Sequence, residues 1–141
     1  MRFFKYFIRK RRIRKPVRKN GGRKKYLEHK EAARELVRGR LEYFNTQYGY
    51  KIGRVSIKNT RSRWGSCSSK GNLNFNYRIA LLPKHLVDYV VVHELCHLGQ
   101  FNHSPAFWNL VARTIPDYVT RREELRKVHM GKMAGRNVEV I

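Results

Sequence analysis

Acidic residues and cysteines are scarce in this sequence, and long apolar runs are absent. Only 10 Asp and Glu stand against 32 Lys and Arg in 141 residues, which gives a formal net charge of +22 and excludes an acidic solvating tail. Two cysteines, Cys67 and Cys96, are too few for a disulfide framework and lack CxxC spacing. No apolar run approaches the roughly 18 residues that a membrane-spanning helix needs. We therefore expect a cytoplasmic protein with one domain and no transmembrane segment.

The basic charge is concentrated at the N-terminus. Residues 1–25 contain 13 Lys and Arg and no acid, and the other 116 residues contain 19 basic and 10 acidic side chains. The aromatic stretch at 3–8 is broken by Lys5 and followed by charges, so we expect no secretion signal. We predict a flexible basic arm over 1–25, ended by a Gly21-Gly22 hinge, a domain over 26–130 and a tail over 131–141. Three interpretations of the arm are open. It could bind nucleic acid or another polyanion, contact a membrane surface through its aromatic residues, or be a solvated terminus without a partner.

Hydrophobic periodicity predicts an α+β domain. Apolar residues recur at helical spacing from Tyr26 to about Tyr48, and Gly49 ends that pattern. Alternating residues at 54–57 and 73–79, with 63–67 between them, predict a small three-stranded, mostly antiparallel sheet that includes a hairpin at 68–72. Three more helices are expected from Pro83 to about Leu98, from Ser104-Pro105, and after Pro116 to about Val128. Helices and strands are segregated, as in α+β folds.

The candidate chemistry begins with an HExxH pattern, His93-Glu94-Leu95-Cys96-His97. Residues four apart on a helix lie about 40° apart and one turn along the axis, so both imidazoles can bind one Zn²⁺. Glu94 follows the first histidine and lies beside the metal without being a ligand. A carboxylate there can accept a proton from water, which makes Glu94 the candidate catalytic base.

His103 is the candidate third ligand. If the helix continued, His103, six residues after His97, would point away from the metal. His103 can therefore be a ligand only if the helix breaks. Gly99 is predicted to end the helix in the left-handed conformation. Ser104 and Pro105 are typical of the N-cap and first position of a new helix. Three histidines leave an open coordination position, which is typical of a catalytic zinc site.

Two motifs together resemble a known family. Residues 93–108, HELCHLGQFNHSPAFW, preceded by residues 61–76, RSRWGSCSSKGNLNFN, resemble the YgjP-like metallopeptidase family, related to the SprT-like (Spartan-type) zincins. The resemblance implies a compact zincin-like domain that hydrolyses peptides or proteins with one zinc per chain. It implies that His93, His97 and His103 are the zinc ligands and that Glu94 is catalytic.

Several further residues have two interpretations. Trp64 and Cys67 are expected to pack the sheet against the active-site helix, or to form a cleft rim where an extended peptide adds to the sheet edge. Asn74, Asn76 and Arg78 share one face of the predicted strand and could hold substrate backbone or a phosphate. Cys96 is expected to be a buried thiol. The candidates for stabilising the oxyanion are Arg61, Arg63 and Arg78.

Two other functions remain open on the sequence alone. A metal-dependent hydrolase of nucleotide phosphoanhydrides would use the same site, because the positive charge concentrates polyanions. A nucleic-acid-binding protein with a secondary zinc site is the other alternative.

Overall fold

A computed structural model describes residues 21–128, and the predicted tail lies outside them. This part of the chain contains four α-helices, one 3₁₀ helix and three strands, in an α+β arrangement. The elements are α1 Gly21–Tyr48, β1 Val55–Lys58, β2 Gly65–Cys67, β3 Leu73–Asn76, the 3₁₀ helix Tyr77–Leu81, α2 Lys84–His97, α3 Pro105–Ala112 and α4 Tyr118–Lys127. The order of elements confirms the predicted α+β class. No helix in the described residues is both long and apolar enough to cross a bilayer.

The first helix is longer than its apolar pattern predicts. Its apolar stripe is buried as expected, with Ala33 and Val37 fully enclosed. However, Gly21 and Gly22 already lie in the helix. The prediction of a hinge there, and of an arm extending to residue 25, is therefore wrong for residues 21–25. The helix ends as predicted before Gly49, which has a φ of +69° and is thus in the left-handed region that glycine tolerates.

The sheet is mixed, with strand order β1-β3-β2. β1 pairs with β3 in parallel, and β2 pairs with β3 in antiparallel orientation. The predicted hairpin therefore forms between β2 and β3, with Gly71 at φ +80° in its turn. β1 lies on the far side of β3 from β2 and runs in the same direction as β3. One strand pair is thus antiparallel and the other is not.

The third strand is shorter than its alternating pattern suggests. It ends at Asn76, whose side chain accepts a hydrogen bond from the Arg78 backbone N–H at 3.0 Å and caps the 3₁₀ helix. Tyr77 and Ile79 stay buried, so the apolar alternation continues although the strand does not. Arg78 therefore does not share a strand face with Asn74 and Asn76, contrary to the prediction.

Helix α2 runs through the centre of the domain. Every residue from Leu86 to His97 is buried, which explains how the β-branched run 90–92 is accommodated in a helix. Arg40 of α1 binds Asp88 of α2 with two hydrogen bonds, Nε to Oδ1 at 2.6 Å and Nη2 to Oδ2 at 3.1 Å. Helix α2 also contacts β2, α3 and α4. Its C-terminal end is thereby fixed from several sides.

Candidate metal centre

Three imidazole rings meet at the C-terminal end of α2. The Nε2 atoms of His93, His97 and His103 form a triangle in which each pair is separated by 3.1 Å. His93 and His97 come from consecutive turns of α2, as their spacing predicts. His103 comes from the segment between α2 and α3. The structure thus brings the three predicted ligands together.

The helix break that places His103 differs in one detail from the prediction. The backbone N–H groups of Gly99 and Gln100 both donate to the Cys96 carbonyl at 3.0 Å, closing the end of the helix. Gly99 does not adopt a positive φ, so the left-handed cap is wrong. A glycine is required there because a Cβ would collide with the ring of Tyr50.

The start of the next helix follows the sequence prediction. The Ser104 hydroxyl accepts a hydrogen bond from the Phe107 N–H at 3.4 Å, and Pro105 occupies the first helical turn. Phe107 stacks on the His97 ring at a centroid distance of 4.4 Å, and Trp108 stacks on the His103 ring at 5.8 Å. The capped helix therefore supplies the two aromatic walls that hold two of the three imidazoles.

The tautomer of His97 is set by a backbone carbonyl. His97 Nδ1 lies 3.0 Å from the Gln100 oxygen, which can only accept, so Nδ1 carries the hydrogen. Nε2 is then unprotonated and directs its lone pair into the triangle. Such hydrogen bonds from the remote nitrogen are typical of metal-binding histidines.

The donor set fits a divalent metal. Burial lowers the pKa of His93 well below its ordinary value, and the pKa values of His97 and His103 are lowered for the same main reason. A proton is therefore poorly held between these nitrogens. Nitrogens bound to one tetrahedral Zn²⁺ at 2.0–2.1 Å are about 3.3 Å apart, close to the observed separation. The His103 residue is exposed, so the triangle is open on that side and has room for a further ligand.

Glu94 lies beside this triangle in a closed environment. Its side chain is buried, and Oε1 has no hydrogen-bond partner among residues 21–128. Burial raises the pKa of Glu94 to about 8, and the positive charge of Arg63 opposes this shift. On its other side Glu94 contacts Gly65 of β2, where a Cβ would lie 2.8 Å from Glu94 Cγ. The absence of a side chain at Gly65 therefore makes room for the carboxylate.

The two cysteines lie near the centre but outside the histidine cluster. Cys96 is fully buried, as expected, and burial raises its pKa to about 11. Cys67 on β2 is half-buried, and burial and the nearby charge of Glu94 raise its pKa to about 11. Both thiols are therefore protonated at neutral pH.

Asn76 and Trp64 are buried in the structure. Asn76 Nδ2 donates to the carbonyl oxygens of Thr60 at 2.8 Å and Arg63 at 3.1 Å, so this amide fixes the loop between β1 and β2. The amide hydrogens of Asn76 therefore serve the fold, and substrate binding by this face of the sheet stays a prediction. Trp64 is 1% exposed and belongs to the core, which agrees with the packing interpretation.

Sequence reasoning missed a cation beside the histidines. The guanidinium of Arg122 on α4 lies 5.3 Å from the centre of the Trp108 ring. Its charge contributes to the lowered pKa values of His93 and His103, and its buried Nε has no partner among the described residues. Nothing in the local sequence distinguishes it from Arg121 and Arg126 on the same helix, so only the packing of α4 on α2 reveals it.

Comparison with known proteins gives a consistent result. No curated protein sequence matches the chain significantly. The crystal structure of the metallopeptidase zymogen abylysin from Pyrococcus abyssi is similar, with a TM-score of 0.59 and 23% identity, over 63% of this chain and 90% of that chain. The zymogen of jannalysin from Methanocaldococcus jannaschii has a TM-score of 0.52 and 21% identity, over 66% of this chain and 92% of that one. Both likenesses establish the fold.

The sequence profile named "YgjP-like, metallopeptidase domain" matches residues 8–128. This range contains all of the described helices and strands, the histidine triangle and Glu94. With a metallopeptidase fold, a metal-binding donor set and a family profile over most of its length, the chain belongs to the YgjP-like metallopeptidase family.

Proposed function

We propose that the chain hydrolyses peptide bonds with one Zn²⁺ held by His93, His97 and His103 and with Glu94 as general base. The observation that carries this proposal is the triangle of Nε2 atoms at 3.1 Å, with Glu94 adjacent to its first member on α2. Membership of the metallopeptidase family favours a peptide over a nucleotide phosphoanhydride as the substrate.

Glu94 has the properties of a proton carrier. When bound, zinc supplies Lewis acidity, polarising the scissile carbonyl and lowering the pKa of water. Oε1 of Glu94 accepts a proton from the attacking water as the water oxygen bonds to the carbonyl carbon. The same carboxyl then donates this proton to the leaving amine as the C–N bond breaks. Burial raises the pKa of this carboxyl, and the charge of a bound Zn²⁺ would oppose that shift and favour the carboxylate form that accepts the proton.

The free edge of β2 is the proposed position of the substrate backbone. The Asn76 N–H donates to the Trp64 carbonyl, and the Ser68 N–H donates to the Asn72 carbonyl. The backbone groups of Trp64 and Ser68 therefore point toward the β3 side. In an antiparallel ladder the intervening residues direct their backbone groups away from the partner strand. Gly65 and Cys67 therefore face the outer edge, where no strand of the described residues pairs. An extended peptide added there passes next to Glu94, because Gly65 contacts it.

Removal of the base tests the catalytic role. Glu94→Gln retains the shape and loses the proton acceptor, so zinc content stays the same while cleavage of casein falls by roughly 10²–10⁴-fold. Glu35→Gln, an exposed position on α1, is the matched control and keeps full activity. Full casein cleavage by metal-loaded Glu94→Gln would contradict the mechanism.

Removal of the third ligand tests the metal site. His103→Ala leaves two ligands and is expected to lose most of the zinc measured by mass spectrometry. His85→Ala is the control, because His85 binds Glu124 at 2.6 Å on the surface, away from the triangle. Unchanged zinc in His103→Ala would remove His103 from the ligand set.

The basic N-terminus is a separate proposal that rests on charge. We retain polyanion binding for residues 1–20, which carry 10 Lys and Arg and no acid. Residues 21–25 belong to α1 and so to the domain. A cytoplasmic location remains a prediction from the cysteine content.

A further inference from the structure

A polar pocket of about 240 Å³ lies on the face of the sheet opposite α2. Strand alternation defines this face, because Gly65 and Phe75 are register partners and Gly65 faces Glu94 of α2. Residues one position away point to the other side. The side chains that contribute polar groups to the pocket are Lys58, Thr60, Arg63, Ser66, Asn74 and Asn76.

The wall of the pocket is held in place by hydrogen bonds. Asn76 fixes the loop between β1 and β2 through the carbonyls of Thr60 and Arg63. Asn74 Nδ2 donates to the Ser66 hydroxyl oxygen at 3.2 Å, which leaves the Ser66 hydrogen available to a ligand. The pocket is therefore formed before any ligand enters, and its hydroxyl and amide donors keep their positions.

The segment of the chain that contains the whole sheet carries charge of one sign. Residues 43–87, which include the whole sheet, contain eight Lys and Arg and no Asp or Glu. Lys58 lines the pocket and has no ion-pair partner among residues 21–128. A lysine ammonium together with hydroxyl and amide donors recognises an anion, and carboxylates accept several such bonds at once.

The pocket is close to the proposed point of cleavage. Gly65 lines it on one side and contacts the Glu94 side chain on the other. A peptide strand added to the edge of β2 alternates its side chains between the two sheet faces. The peptide side chains on the face opposite α2 lie beside Ser66. Because the Ser66 side chain is small, a longer peptide side chain can pass it and reach the pocket.

We propose that this pocket binds an acidic side chain of the peptide substrate, within two or three residues of the scissile bond. This inference rests on the proposed peptidase function and names its substrate class. Lys58 supplies the charge that selects Glu or Asp over an uncharged residue of similar shape.

Matched peptides test the proposal with the zinc-loaded full chain. Fluorogenic peptides that differ only by Glu or Gln at one position are compared at low salt, with the position moved through three residues on each side of the scissile bond. At one position we expect the Glu peptide to have a kcat/KM roughly 5- to 30-fold higher than the Gln peptide. Salt should reduce this ratio because it screens charge.

Charge reversal in the pocket provides the second arm. Lys58→Gln should bring the Glu-to-Gln ratio near one, and Lys58→Glu should favour a Lys peptide at the same position. Lys51→Gln removes an exposed lysine outside the pocket and should preserve the ratio. A ratio near one at every position in the native chain overturns the proposal. A second result would also overturn it: Lys58→Gln keeps the native Glu-to-Gln peptide ratio but binds single-stranded DNA more weakly. The pocket would then bind phosphate and not an acidic side chain.

A binding measurement separates this inference from the proposed function. Zinc-loaded Glu94→Gln is titrated with the same Glu and Gln peptides, and the Glu peptide should bind roughly 5- to 30-fold more tightly. If the native chain cleaves no peptide but this difference persists, the catalytic proposal fails and the pocket proposal stands. Equal binding of the two peptides overturns the pocket proposal whatever the activity.

Discussion

Adding one methyl group at Gly65 should displace the carboxylate of Glu94, the proposed general base. A Cβ at this position would lie 2.8 Å from Glu94 Cγ, 2.9 Å from Oε1 and 3.0 Å from Cδ. Ordinary carbon contacts are about 3.5–4.0 Å, so Glu94 must move by roughly 0.7–1 Å. Its side chain is wholly buried and cannot rotate into solvent. Overpacking of this kind costs about 1–3 kcal/mol, and a displacement of about 1 Å can reduce the rate on the order of 10²-fold.

A double-mutant cycle isolates the contact. Gly65→Ala in the native background should lower the free energy of unfolding by about 1–3 kcal/mol, measured by chemical denaturation. In a Glu94→Ala background the methyl group enters vacated space, so the same substitution should cost close to nothing. Gly65 does not have a positive φ, so alanine introduces no backbone strain there.

Gly39→Ala is the matched control for this cycle. It lies in α1 with nothing within 4 Å of an added Cβ, and it should stabilise the protein by up to about 1 kcal/mol. An equal loss for Gly65→Ala in both backgrounds would refute the reasoning, as would a Gly65→Ala enzyme with native kcat/KM.

Three further predictions concern the rest of the domain. Asp88→Asn leaves Arg40 without its carboxylate in a mostly buried position and should lower the free energy of unfolding by roughly 2–3 kcal/mol. Glu31→Gln, at an exposed pair, should lower it by less than about 0.5 kcal/mol. Coinciding denaturation curves for the two variants would contradict this. The three proposed ligand histidines have lowered pKa values, so protons should displace the metal only below the ordinary histidine pKa of about 6.5. Half-release of the metal at pH 7 in a titration would be inconsistent with that. Deleting residues 1–20 should weaken DNA binding and make the slope of log affinity against log salt shallower, whereas equal slopes for both chains would exclude that segment from the contact.

The metal centre was predictable because its geometry is local. Two histidines four residues apart on a helix must share a face, and Ser104 with Pro105 marks the helix start that returns His103 to them. These rules need no knowledge of the remaining chain. Glu94 was predictable for the same reason, but the Gly65 backbone against which it packs was not, because β2 is distant in sequence.

The errors concern features that depend on tertiary contacts. The alternation at 73–79 indicates burial, and burial continues into the 3₁₀ helix where the strand has already ended. Strand order depends on where β1 docks, so the parallel pairing with β3 could not be read from either strand. The usual pattern of helix C-caps predicts a left-handed Gly99, whereas the close contact of Gly99 with Tyr50 depends on tertiary packing.

The pairing of Arg40 with Asp88 joins the first helix to α2, the helix that carries two of the proposed metal ligands. A fragment spanning only residues 84–108 would contain every proposed ligand and the proposed base, but neither α1 nor the sheet. On its own such a short helix is marginal in water, and its histidines would lose the burial that lowers their pKa values. The proposed site is therefore a property of the assembled domain, because residues 84–108 depend on α1, the sheet and α4 for the contacts that enclose α2.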